Sequence, residues 1–129
     1  MASIGELLSL VEAYRNTVAN CERQINRLQP VYQTLGELKS DYRYARKKTE
    51  SVFRDKNSWR GERKISFCRD GDSLDHICGE YYSRLDAAQD AVNSKIGELR
   101  AKKLELIPII NNLVALIEEM RTEIENALN

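Results

Sequence analysis

The residues with the widest chemical range in this sequence are Cys68, Asp75, His76 and Cys78, gathered within one short stretch. Thiolate, carboxylate and imidazole are the ligands that zinc takes, but a zinc site needs about four of them at recognisable spacings. Cys78 falls instead in a hydrophobic column of the second half of the chain, and Cys21 falls in one of the first half, so both read as core thiols. The three cysteines are an odd number without disulfide-type spacing and are read as reduced. His76 is the single histidine and has no nucleophile constellation around it, no Gly-rich segment could cradle a phosphate, and the carboxylates spread over helix faces. No catalytic residue, metal site or cofactor is expected, and the chain is read as non-enzymatic.

What must position these side chains is a set of long helices. The chain has 129 residues, the size of one small domain, and 31% of them are charged against two Pro and six Gly, a mix that suits extended helices. Taken as heptads, one column reads Ile4, Val11, Val18, Ile25, Tyr32 and its companion Leu7, Tyr14, Cys21, Leu28, Leu35, Tyr42. Pro30 interrupts this run and predicts a kink near Leu28 to Gln29. The heptad phase survives it, which favours one bent helix over two helices joined by a loop.

A second segment repeats the pattern in the column Cys78, Leu85, Val92, Leu99, Leu106, Leu113, Met120, Ala127. Leu74, Tyr81, Ala88, Ile109 and Leu116 flank it on one side; Tyr82, Ile96, Ile110, Ile117 and Ile124 flank it on the other. This stripe is wider than a two-helix seam requires, and Pro108 predicts a bend within it. Asn57-Ser58-Trp59-Arg60-Gly61 is the plausible turn between the segments, with Gly61 supplying permissive backbone. The expected fold is all-α: a single domain over 1–129 forming a long antiparallel helical hairpin, coiled-coil-like, with arm one at about 3–56, the turn at about 57–61 and arm two at about 62–127. Arms of that length would run to about 80 Å, a rod rather than a globule. Such a rod leaves much of the second stripe uncovered, so a multi-helix bundle with a partner is expected. The residues expected to bind it are Leu85, Val92, Leu99, Leu106, Ile110, Leu113, Ile117, Met120 and Ile124.

Trp59-Arg60-Gly61 at the bend, followed by Phe67, resembles the W-x-G signature of proteins exported by type VII (ESX) secretion systems of Gram-positive bacteria. The spacing W-x-G-x(5)-F is most similar to that of the YwqH-like family, small α-helical proteins encoded beside LXG toxins, with longer arms than the hundred-residue WXG hairpins. The resemblance covers the whole chain as architecture, while its sequence-specific part is Trp59, Gly61 and Phe67. It implies a non-enzymatic targeting partner or chaperone that binds the helical N-terminal region of an LXG toxin and promotes its export, with the Trp-Gly bend as half of a composite export signal. A second small helical protein and a secretion ATPase are further partners the resemblance implies. Independently of that, Trp59 reads as a large aromatic closing the open end of the seam.

Proteins of this kind also carry Y-x-x-x-D/E after the second helix. Tyr82-Ser83-Arg84-Leu85-Asp86 matches the letters but lies well before the helix ends, so Tyr82 and Asp86 are a weak export motif at best, and a seam-edge aromatic with a solvated neighbour is the plainer reading. From Lys39 to Arg69 the sequence has eleven basic residues against four acidic ones, whereas Glu118, Glu119, Glu123 and Glu125 face Arg121 alone. These ends would set the orientation of a complementary partner, or form a solvated charged tip.

The chain as a whole carries 20 basic and 20 acidic side chains, and no aromatic-interleaved basic pattern points to nucleic acid. The first residues show no basic segment followed by an apolar one, and no apolar run reaches about 20 residues, so a cytoplasmic protein without membrane insertion is expected before export, with co-secretion beside the toxin left open. The alternatives are a homodimeric coiled-coil scaffold and a stand-alone WXG-type secreted protein.

Overall fold

The computed structural model describes residues 2–54 and 62–129, with side chains described for 2–48 and 70–129. Two helices make up the described chain: α1, Ile4–Arg54, and α2, Glu62–Leu128. They pack against one another as a helical hairpin. The start of α1 is fixed by a capping box. The Ser3 hydroxyl accepts from the Glu6 amide at 3.1 Å, the Glu6 carboxylate accepts from the Ser3 amide at 3.4 Å, and the Ser3 carbonyl takes the first helical bond from the Leu7 amide.

Both prolines lie inside continuous helix. Each occupies the outward position of its heptad, and each is exposed, as are Asn26 and Leu104 four residues earlier. The carbonyls left without a helical donor thus belong to residues on the exposed face, where a proline costs a helix least. The expectation of one helix through Pro30 rather than two with a loop agrees with this continuity.

Packing divides the chain into two compact units, with the boundary falling at Gln29/Pro30 in α1 and at Asn93/Ser94 in α2. The first unit comprises Met1–Gln29 and Ser94–Asn129. Its core is Leu7, Val11, Ile110 and Ile117, surrounded by Ile4, Tyr14, Val18, Leu113, Val114 and Met120. Cys21, Ile25, Ile96, Leu99 and Leu106 continue the buried seam. Glu22 pairs with Lys103 at 3.0 Å. Partners on α2 come earlier in the chain as those on α1 come later, so the helices run antiparallel. Each buried Leu or Ile contributes about 1.5–3 kcal/mol of apolar transfer, and that repeated contribution, more than helix propensity, holds the two helices in place.

The second unit comprises Pro30–Asn93. Here Leu85 is the one buried large hydrophobic side chain among the described residues. Leu35, Tyr42, Cys78, Tyr82 and Val92 are half-buried. The cross-helix pairs Lys39 with Asp86, Arg43 with Tyr82 and Arg46 with Asp75 again run antiparallel. No described helix is long and apolar enough to cross a membrane.

Candidate partner-binding surfaces

The expected turn motif lies mostly outside the described residues. Trp59 and Gly61 fall in the interval between α1 and α2, and Phe67 lies in α2 with its side chain outside those described.

Tyr82 and Asp86, one helical turn apart on α2, are brought together on α1. Asp86 accepts from Lys39 Nζ at 2.5 Å, and the same ammonium donates to Gln89 Oε1 at 3.1 Å. Lys39 also lies 5.3 Å from the centre of the Tyr82 ring, as does the Arg43 guanidinium, which donates to the Tyr82 hydroxyl. Tyr42 completes the group, its ring centre 5.5 Å from that of Tyr82 and 6.1 Å from that of Tyr81. The arrangement is a clasp between the helices that accounts for both letters of the Y-x-x-x-D match.

The hydrogen bond that the Lys39 ammonium donates to Asp86 holds its pKa above the ordinary value. The Tyr42 hydroxyl is buried, and none of the described residues meets it at hydrogen-bonding geometry. Burial, and after it the neighbouring Cys78 thiol, pushes that phenol above its ordinary range.

The basic run from Lys39 onward meets its complement just beyond Arg69. Asp70, Asp72, Asp75, Glu80, Asp86 and Asp90 follow on α2 with Arg84 as the one Lys or Arg among them. Lys39 and Arg46 pair with two of these acids, and Lys48 lies over the ring of Tyr44 at 4.6 Å. The bases from Arg54 to Arg69 lie outside the described side chains, while Lys39 and Arg46 of that run are thus engaged within the hairpin. The signal for this was the acidic spacing itself, which puts Asp75 and Asp86 on the side of α2 that faces α1.

The residues expected to bind a partner lie largely in the chain's own seam. Leu85, Leu99, Leu106, Ile110 and Ile117 are buried, Val92, Leu113 and Met120 are half-buried, and Ile124 is exposed. What the seam leaves uncovered is its two flanks. Beside the Ile96 and Ile110 positions runs the column Arg100, Ile107, Val114, Arg121, with Leu104 70% exposed next to it and Ile107 also exposed. Leu8 on α1, in the column of Glu22, is exposed on the same side. Beside the Leu99 and Leu106 positions runs the column Lys95, Lys102, Ile109, Leu116, Glu123, every member exposed. Thr17 and Gln24 of α1 share a shallow groove with Lys95 and Lys102, which puts the exposed Leu10, in the same column as Thr17, on this second flank.

Cys21 is buried and Cys78 half-buried, both as free thiols, while the side chain of Cys68 lies outside those described. His76 pairs with Glu80 at 3.3 Å on the surface of α2. Among the described residues no group of three or more His, Cys, Asp or Glu side chains could hold a metal ion. No protein-family model, curated protein or solved structure matches the chain.

Proposed function

We propose that the chain is a non-enzymatic binding protein whose hairpin takes helices of another protein, and that this protein is an LXG-type toxin, bound through its helical N-terminal region before export by a type VII apparatus. The observation that carries the binding role is the exposed flank of Leu104, Ile107 and Leu8. Large apolar side chains exposed along one flank suit an interaction site. Its chemistry also points away from a second copy of the chain. The column reads Arg100, Ile107, Val114, Arg121, so folding it back antiparallel on itself would set arginine against arginine. The occupant it suits is an amphipathic helix with acidic residues at both ends of its apolar stretch. The assignment to a toxin rests on the likeness of Trp59-Arg60-Gly61 and Phe67 to the W-x-G proteins. In this reading the helical flank binds cargo and the Trp-Gly segment contributes to the signal that the secretion machinery reads.

Co-expression of the full chain with the helical N-terminal region of a candidate LXG toxin tests the proposal. A stable complex is expected, abolished by Leu104→Asp with Ile107→Asp while helicity by circular dichroism persists. A chain that ignores that region overturns the toxin assignment, and a complex indifferent to the two substitutions overturns the docking flank.

A further inference from the structure

The second flank carries a different pattern. At seven-residue intervals along α2 it reads Lys95, Lys102, Ile109, Leu116, Glu123: two bases, two large apolar side chains, then an acid. All five are exposed, with Ile109 at 38% and Leu116 at 42%. Lys95 is 3.7 Å from Glu98, whereas neither Lys102 nor Glu123 forms an ion pair with a described residue of its own chain. With Lys95 outside the contact, the four members Lys102, Ile109, Leu116 and Glu123, reversed end for end, match their own image, apolar on apolar and base on acid. That is the requirement of an isologous two-fold contact, in which one patch must complement itself.

We propose that this flank is the contact between two copies of the chain. They pack antiparallel about a two-fold axis that sets Ile109 of one copy against Leu116 of the other and Lys102 of one against Glu123 of the other. Leu10 of α1, 43% exposed on the same side, widens the apolar centre. The formal charge of the chain is zero, so the copies do not repel one another as wholes. The contact lies entirely within the Met1–Gln29 and Ser94–Asn129 unit. It leaves the Leu104 and Ile107 flank open, and it stands independently of the toxin assignment.

Charge reversal tests the pairing. Symmetry places the Lys102 to Glu123 contact twice in each dimer, so either Lys102→Glu or Glu123→Lys converts two attractions into two repulsions. Sedimentation equilibrium of the full chain is expected to give twice the chain mass at micromolar concentration. Each single variant should dimerise at least about tenfold more weakly, with circular dichroism unchanged. An equimolar mixture of the two variants should regain the dimer mass, because every such contact in a mixed dimer again joins opposite charges. An unsubstituted chain that stays monomeric, variants that dimerise like the parent, or a mixture that does not recover would each overturn the proposal. Capture of the toxin region by monomeric Lys102→Glu separates this contact from the cargo flank, since loss of one leaves the other measurable.

Discussion

In the unit of Met1–Gln29 and Ser94–Asn129, nine apolar side chains are buried between the helices; in the Pro30–Asn93 unit, among the described residues, Leu85 alone is. The same two helices and the same heptad repeat build both. What differs is the balance of material at the seam: mainly Leu, Ile and Val in the first, with Lys103 held by Glu22 as its polar member, and more Tyr, Lys, Gln and Asp around Leu35, Leu85 and Val92 in the second. Apolar burial supplies free energy without direction, and a leucine seam displaced by one heptad still buries leucines. The Lys39, Tyr82 and Asp86 clasp has direction, because sliding it by one heptad leaves its charges facing the wrong neighbours. The first unit thus contributes most of the cohesion and the second fixes which heptads meet.

The sharpest way to break this contrast is to cut into the first seam. Ile117 is 4% exposed within the main cluster. Ile117→Ala removes its packing and leaves a gap that neighbouring helices fill only in part, for an expected loss of about 3 kcal/mol. Asp86→Asn in the second unit, where the carboxylate side of the contact is half exposed, should cost less. Urea unfolding at one fixed protein concentration compares the two, and a larger loss for Asp86→Asn would reverse the assignment of cohesion and register.

Alkaline pH should act on the second unit first. Lys39 and Tyr42 both have folded-state values raised above the ordinary 10.5 and 10.0. Between its ordinary and its raised value, each group holds its proton more firmly in the folded chain than in the unfolded one. Stability from both is therefore fully present below about pH 10 and falls as pH rises through the raised values. Methyl NMR across this range should show Leu85 responding before Ile117. Combining Lys39→Met with Tyr42→Phe should remove the difference, and simultaneous loss at both methyls in the parent chain would count against a separately titrating clasp.

The heptad columns made the seam legible because two facing helices need little more than apolar residues at the right spacing. Leu7, Val11, Cys21 and Ile25 are buried where those columns place them. The second arm was harder to read, since Ile109 and Leu116 are as apolar as Ile110 and Ile117. The letters of α2 alone do not say which pair α1 covers. Hydropathy also passes over Gln89 and Lys103, polar gaps in the column that contains Tyr82, Ile96 and Ile110. Both prove to be half-buried seam residues, Lys103 held by Glu22 and Gln89 hydrogen-bonded by Lys39. A polar residue at a seam position is intelligible only once its partner across the hairpin is known. For the same reason the uncovered apolar surface lies on the flanks of the stripe rather than at its centre: the stripe's width was visible, its division between α1 and the outside was not.

The smallest expected effects test the same contrast with glycines inside the helices. A Cβ at Gly97, in the first unit, would meet nothing within 4 Å, whereas one at Gly36, in the second, would lie 3.1 Å from Gln89 Nε2. Alanine exceeds glycine in helix propensity by about 1 kcal/mol. Gly97→Ala should therefore raise stability by nearly that amount. At Gly36 the gain is offset by displacement of the Gln89 amide, which reaches toward the Tyr32 carbonyl while its oxygen accepts from Lys39. The amide is the far end of a flexible side chain, so Gly36→Ala should come out near neutral in thermal unfolding rather than destabilising. A gain at Gly36 equal to that at Gly97 would mean that Gln89 can leave the clasp at no cost, and Lys39 with Asp86 would then carry the register without it.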